Sequence, residues 1–265
     1  MPDPAPAVVD ALRAAGSVFA EEEAAVLAGE ARTAGHLELM LARRLLGEPL
    51  EQVVGWAEFH GLRVRVAPGV FVPRRRAELL VDLAVAAAEP GSVVVDLCCG
   101  TGAIGVAVAD ALPEVELHAG DLDPAAVAVA RHNVVAGEVH EGDLYDALPT
   151  SLRGRVDVVV ANAPYVPTEE IALMPREARD HEHHVALDGG PDGLDLHRRI
   201  AAGAPDWLRP GGMLLIETSE QQAEGTLAAC ATAGLVAEVL RREETASTVV
   251  RAISAAPGSS GTMAR

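Results

Sequence analysis

Apolar residues recur every three or four positions from Val8 to Ala15, from Ala24 to Ala31 and from Leu37 to Leu46, with Gly16, Gly35 and Gly47 as punctuation. That spacing gives each segment one apolar stripe and predicts three short amphipathic helices. The period then shortens. Phe59 to Val72 alternates apolar and polar positions around Gly61 and Pro68-Gly69, which predicts a β-hairpin. From about Glu78 the pattern becomes strand–helix alternation. Strands are expected at Val93-Val94-Val95, 116–119, 156–161 and 212–217, with a short additional one before Asp143. Helices are expected over 103–111, 124–135 and 194–202. Alternation of this kind predicts an α/β fold in which a parallel, doubly wound sheet carries helices on both faces. The expected organisation is an N-terminal helical domain (1–54), a hairpin linker (55–72), a large α/β domain (73–254) and a Ser/Gly/Pro-rich flexible tail (255–265).

Composition narrows the chemistry. No uncharged apolar run approaches the roughly 18 residues of a membrane span. Met1 to Ala20 carries acids and prolines where a secretion signal would have a basic end and an apolar block, so a cytoplasmic protein is expected. All 21 basic residues are arginine, which excludes lysine Schiff-base chemistry and the lysine-dependent phosphate loop. Cys98, Cys99 and Cys230 lack the spacing of a disulfide framework or a zinc site. The net charge of −18 opposes a nucleic-acid backbone, although Arg74-Arg75-Arg76 forms a local basic strip. His181, His183 and His184 invite a metal reading, but they stand among solvated acids and no metal is expected there.

The candidate chemistry lies at strand ends. In VVVDLCCGTGAIG a buried strand ends at Asp96, a glycine turn follows and a helix opens near Ala103. Gly100 and Gly102 would let the backbone approach a ligand closely, with free N–H groups at the helix start. Gly100 to Gly105 also fits G-x-G-x-x-G, and Asp121 lies near the distance expected of a ribose-binding acid, so a nicotinamide-dependent oxidoreductase is open at this point. Asp96 favours S-adenosylmethionine instead, because its carboxylate suits an ammonium group and would repel a pyrophosphate. Asp121 would accept ribose hydroxyls, Asp123 would cap the helix opening at Pro124, and Asp143 would accept from the adenine amino group. Asn162-Ala163-Pro164-Tyr165 directly follows the strand VDVVVA, where doubly wound sheets place ligands. The Asn162 carbonyl would accept from an NH₂ group, the Tyr165 ring would stack on its planar face, and Pro164 would stiffen the turn. An amide nitrogen is a poor nucleophile because its lone pair is delocalised. Alignment is therefore the main catalytic demand.

With these residues in place, the chain resembles the HemK/PrmC family of protein-(glutamine-N5) methyltransferases from roughly Arg44 to Arg251. The resemblance is carried by GEPLEQVVGWAEFHGLRVRVAPGVFVPR, DLCCGTGAIG, DLDPAAVAVARHN, NAPY, EHHVALDGGPDGLDLHRRI and GGMLLIE, in order. It implies a class I S-adenosylmethionine-dependent methyltransferase fold and methylation of the glutamine in the Gly-Gly-Gln tripeptide of a peptide-chain release factor. The expected cofactor site is Asp96, Cys98, Gly100, Thr101, Gly102, Asp121, Leu122, Asp143, Leu144 and Asn162. The expected substrate site is Arg74, Asn162, Ala163, Pro164 and Tyr165, with Asn162, Pro164 and Tyr165 catalytic. The chain departs from the family at Ala163, where a second proline is usual, and at Cys98, usually glycine. Arg75-Arg76-Ala77 stands where Pro, an acid and Thr are usual, and His183 follows Glu182 where the family has a proline. These departures bear on substrate choice, and an amino-methyltransferase acting on adenine or cytosine is the main alternative, since Asn-x-Pro-Tyr also serves there.

Overall fold

A computed structural model describes residues 6–255; the expected tail from residue 256 onward lies outside them. Four helices open the chain: α1 (Pro6–Ala14), α2 (Ala20–Glu30), α3 (Ala34–Leu45) and the short α4 (Leu50–Val54). Their apolar stripes meet in a small core of Val8, Leu12, Ala24, Leu27, Met40 and Val53. Thr33 caps α3 by accepting from the His36 N–H. The Gln52 amide ties this bundle to the rest, donating to the Val70 and His181 carbonyls.

The hairpin forms earlier than expected. Strands β1 (Trp56–Phe59) and β2 (Leu62–Arg65) pair antiparallel across His60-Gly61, both in the left-handed region (φ 51° and 76°), the geometry that matches strand twist in a two-residue turn. Residues 66–72 are not strand. Val66, Val70 and Val72 are each buried, but against different partners: Val66 and Val72 pack with Ala57, and Val70 packs on Ala126 and Val129. Alternation here reflects two separate packing sites rather than one pleated face, and Pro68 withholds a donor from any ladder.

The second part is a seven-stranded sheet, preceded by α5 (Glu78–Ala87). In chain order follow β3 (Val93–Leu97), α6 (Ala103–Ala111), β4 (Glu116–Asp121), α7 (Pro124–Asn133), β5 (Glu138–Glu141), β6 (Val156–Ala161), α8 (Arg176–His181), α9 (Asp195–Trp207), β7 (Leu208–Glu217), α10 (Ala223–Thr232), β8 (Val236–Arg242) and β9 (Ser247–Ile253). The spatial order is β5-β4-β3-β6-β7-β9-β8. Five strands are parallel, but β9 runs antiparallel to both β7 and β8, so the sheet is mixed where a wholly parallel one was expected. The tight link between β8 and β9 leaves no room for a crossover helix, which forces the antiparallel return. Asp123 caps α7 at the Ala125 N–H with Pro124 next in line, as the sequence implies.

Every residue of β3 is buried because both sheet faces are covered. Val94, Val158, Val160 and Leu215 face α5 and α6, whereas Val95, Val159, Leu214 and Ile216 face α9 and α10. Helix α9 continues to Trp207 despite Pro205, beyond the expected end at residue 202. Its buried face, His197, Ile200, Ala201, Ala204 and Trp207, outweighs a proline penalty of about 3 kcal/mol. The chain winds outward from β3 through β4 to β5, then returns to β6 on the other side of β3. That reversal opens a crevice at the carboxyl ends of β3 and β6. Among the described residues, no helix is long and apolar enough to cross a membrane.

Candidate active site

A cavity of about 610 Å³ occupies this crevice, within the range of small-molecule sites. Its walls bring together Cys98, Gly100, Thr101, Asp121, Leu122, Asp143, Leu144, Asn162, Ala163, Pro164 and Tyr165, residues spread over nearly seventy positions of sequence. Each sits at or just past the end of a parallel strand: β3, β4, β5 or β6.

The glycine loop after β3 is held from below and from the side. Gly100 lies at φ +55°, and a Cβ built there meets nothing within 4 Å, so open space begins at its backbone. Its N–H donates to Asp121 Oδ2 at 2.8 Å, and Asp121 Oδ1 accepts from the Asp123 N–H at 2.9 Å. Burial pushes the Asp121 carboxyl above its usual range, partly offset by these bonds. Cys98 is at φ +54°, a conformation costing a non-glycine residue about 1–2 kcal/mol, which explains the glycine usual at this place. Burial, reinforced by Asp121 and Asp96, pushes the Cys98 and Cys99 thiols well up, so both remain inert.

Three expected ligand residues do not reach the cavity. Asp96 is fully buried beneath the loop, and its Oδ2 accepts from the Gly105 N–H at 2.9 Å. Burial raises its carboxyl to about 7; Oδ2 braces the first turn of α6, while Oδ1 is buried without a partner among the described residues. Gly102, at φ +76°, faces α7: an added Cβ would stand 3.0 Å from Val134 and 3.4 Å from Ala130. It permits helix packing, not ligand approach. Arg74 turns to Glu182, which also accepts from the Val72 N–H, and so locks the segment after the hairpin onto the end of α8.

Arg76 takes the place expected for Arg74. Its Nε donates to Glu217 Oε1 at 2.9 Å, and its guanidinium lies 5.6 Å from the centre of the Tyr165 ring. The Tyr165 hydroxyl donates to the same Glu217 oxygen at 3.3 Å. Burial, with Glu217 next, pushes the phenol far above its ordinary value, so Tyr165 keeps its proton. Behind the ring, Gly189 and Gly193 pass so close to the Tyr165 backbone that a Cβ would stand 2.7 Å and 2.2 Å from it. The Gln222 amide donates to the Tyr165 carbonyl at 2.7 Å. The DGGPDG stretch is thus a backstop for Tyr165. The Asn162 carboxamide, in contrast, has no hydrogen-bond partner among the described residues although it lines the cavity. Arg199 donates to Asp143 Oδ2 at 2.8 Å, leaving the other oxygen free to accept.

The methyltransferase small domain family matches residues 61–178. A release factor glutamine methyltransferase of Streptomyces coelicolor is 42% identical over 189 residues, covering 69% of this chain and 67% of its own length. That of Cereibacter sphaeroides is 40% identical over 208 residues, 76% of this chain and 73% of its own. A third, from Geobacter sulfurreducens, is 38% identical, and the chain spans 66% of its length. The chain belongs to the release factor glutamine methyltransferase family. A methyltransferase from Pyrococcus furiosus, 15% identical, shares the fold with a TM-score of 0.56 over 74% of this chain and 90% of its own. S-Adenosylmethionine is accordingly the methyl donor, and the dinucleotide reading of Gly100 to Gly105 falls away. The cavity fits that donor: an open glycine wall at Gly100, carboxylates at Asp121 and Asp143, and apolar surface from Leu122 and Leu144.

The usual Pro-acid-Thr sequence at this place gives no hint of Arg76, and its charge alone, shared with Arg74 and Arg75, did not single it out. Glu217 is 1% exposed, and burial raises its carboxyl while Arg76 pulls it back. A carboxyl raised in the folded state contributes stability that is present at acidic pH and lost as pH rises through its folded-state pKa. Arg76→Ala removes the group that limits this loss. Because the arginine is partly exposed, the expected cost is modest, about 1–2 kcal/mol where Glu217 is ionised, and it shrinks as falling pH protonates Glu217 and removes its need for a counter-charge. Thermal unfolding of both proteins across that titration reads the effect. A gap that narrows with rising pH would show that Arg76 does not serve Glu217.

Proposed function

We propose that the chain methylates the side-chain amide nitrogen of a glutamine in a protein of the release-factor class. The observation that carries this reading is the Asn162 carboxamide, unpartnered at the cavity wall, beside a Tyr165 ring fixed by Glu217, Arg76 and the Gly189–Gly193 backbone. In this reading Gly100, Thr101, Asp121, Leu122, Asp143 and Leu144 hold S-adenosylmethionine, which when bound supplies an electrophilic methyl on a sulfonium.

The protein's own contribution is orientation. The Asn162 side-chain oxygen accepts from the substrate NH₂ and fixes its direction, while Pro164 restricts the turn that carries it. The Tyr165 ring covers the planar amide and excludes water, and its Oη keeps its proton on Glu217 Oε1. No side chain in the wall is needed as a strong base, because the product amide sheds its extra proton to water. Holding a weak nucleophile in an attack-ready pose is worth several kcal/mol of barrier, so geometry is sufficient. Ala163, 1% exposed and in the wall, leaves this part of the cavity wider than a second proline would. Such a substrate would be met in the cytoplasm.

The test is incubation with radiolabelled S-adenosylmethionine and purified release factors, followed by mass spectrometry of the Gly-Gly-Gln peptide. Label on that glutamine is the expected result. Label appearing instead on DNA or RNA offered in parallel would overturn the proposal in favour of an amino-methyltransferase.

A further inference from the structure

Away from the cavity, the sheet edge formed by β4 and β5 gathers a second set of chemical groups. The two strands are parallel with His118 opposite Glu138 and Gly120 opposite His140, so His118, Glu138 and His140 share one face. His118 Nδ1 lies 3.1 Å from His140 Nε2 and 3.9 Å from Glu138 Oε2, and the latter two atoms are 3.7 Å apart. Ligand atoms about 2.1 Å from a tetrahedral ion are separated by roughly 3.4 Å. All three observed separations fall close to that value.

A fourth residue supplies the outer support such sites use. Glu116, two positions before His118 on the same face, has Oε1 at 3.2 Å from His118 Nε2. A carboxylate there draws the ring proton to Nε2 and leaves the Nδ1 lone pair turned toward His140 and Glu138. Arg155 in turn pairs with the other oxygen of Glu116 at 3.4 Å. His118 is buried and His140 half-buried, while Glu138 is exposed, so the triangle is rigid on one side and open to solvent on the other.

We infer that His118, His140 and Glu138 form a zinc(II) site at the edge of the sheet, with Glu116 as its positioning residue and a water in the fourth place. Two imidazoles and one carboxylate select a zinc-like ion over magnesium or calcium, which take all-oxygen shells, and the absence of sulfur disfavours copper(I). None of the three lines the active-site cavity, so the inference stands apart from the methyl-transfer reading. Bound zinc would pin edge strand β5 to β4, and these strands end at Asp121 and lead to Asp143, two of the cavity acids. The histidines of residues 181–184 do not form a comparable group: His183 Nδ1 is engaged by Asp123 Oδ2 at 2.6 Å, and His184 lies 3.8 Å from Asp188.

The test uses the full chain without a polyhistidine tag, stripped by chelator and dialysed, then titrated with zinc chloride by calorimetry and with cobalt(II) by visible absorption. One ion per chain, the intense absorption of tetrahedral cobalt and a melting temperature that rises with zinc are expected. Glu138→Gln, at an exposed position, and His140→Gln should each weaken zinc binding at least about 100-fold, and Glu116→Gln about ten-fold. His183→Gln should leave it unchanged. No saturable binding would overturn the inference, leaving His118 and His140 as a hydrogen-bonded, stacked pair. Binding that survives both Glu138→Gln and His140→Gln would overturn it equally, because the ion would then be held elsewhere.

Discussion

Asn162→Ala is expected to lower kcat by about 10³-fold or more while changing S-adenosylmethionine affinity only a few-fold. The reasoning begins with bonding. Among the described residues the Asn162 carboxamide bonds to nothing, so its removal breaks no internal contact and should cost the fold no more than about 0.5 kcal/mol. A polar group at a cavity wall that does nothing for the fold is available to a ligand. If that ligand is the substrate NH₂, the carboxamide fixes the direction of a nitrogen whose lone pair is otherwise delocalised. Losing one such preorganised partner commonly costs 10²–10³ in rate, about 3–4 kcal/mol, and an amide, lacking intrinsic nucleophilicity, should lie at or beyond the upper end. Single-turnover kinetics at saturating cofactor, paired with calorimetric titration of cofactor, separates the two effects. Turnover within ten-fold of the parent would remove Asn162 from the chemistry. A large loss of cofactor affinity with intact turnover would move it to the donor side of the cavity.

The contrast between Asn162 and Asp96 shows what was legible in the sequence. Both are polar residues at the end of a buried strand, and both were expected to touch a ligand. The strand run VDVVVA fixes where β6 ends, so Asn162 had to emerge at the carboxyl edge, and it lines the cavity. Asp96, one residue before the end of β3, is turned under the loop to the Gly105 N–H. A one-residue shift along a strand exchanges one face for the other, and pattern alone does not say whether the last polar residue caps a helix or faces a ligand. Gly102 fails in the same way, since a glycine demanded by packing against Ala130 and Val134 looks identical in sequence to one demanded by a ligand.

Long-range pairings were the other blind spot. The alternation of α/β units was readable because each unit is local, and β6 and α6 fall where the pattern put them. Arg76, Glu217 and Tyr165 come from three distant segments, and only folding brings the arginine and the acid to the phenol. Nothing in the basic strip distinguished Arg76 from Arg74. Their separation is set by the short 3-10 turn at Arg75–Ala77, which points Arg74 to Glu182 and Arg76 to Glu217.

Asp121→Ala should act on binding instead of turnover, raising the dissociation constant for S-adenosylmethionine by about 10²–10³-fold. Two losses combine. An ionised carboxylate offers roughly four acceptor sites, and here one site on each oxygen is used by a backbone donor, Gly100 N–H at 2.8 Å and Asp123 N–H at 2.9 Å. The remaining site on each oxygen is free for a ribose hydroxyl. The alanine variant surrenders these acceptors and also leaves both backbone N–H groups without their partner, at about 1–3 kcal/mol each where water cannot replace it. The loop that carries Gly100 and the strained Cys98 should then sample other conformations, so affinity falls further than the missing ribose bonds alone require. At about 1.4 kcal/mol per ten-fold, a 10²–10³-fold loss corresponds to about 3–4 kcal/mol, consistent with one charge-assisted pair plus a share of loop ordering. Asp121→Asn keeps one carbonyl acceptor at similar volume and should fall between parent and alanine. Calorimetric titration with the demethylated product, which binds without reacting, measures all three proteins, and kcat at saturating donor should stay within about ten-fold of the parent. An alanine variant that binds within three-fold of the parent would place the ribose elsewhere in the cavity and leave Asp121 as a loop-bracing residue alone.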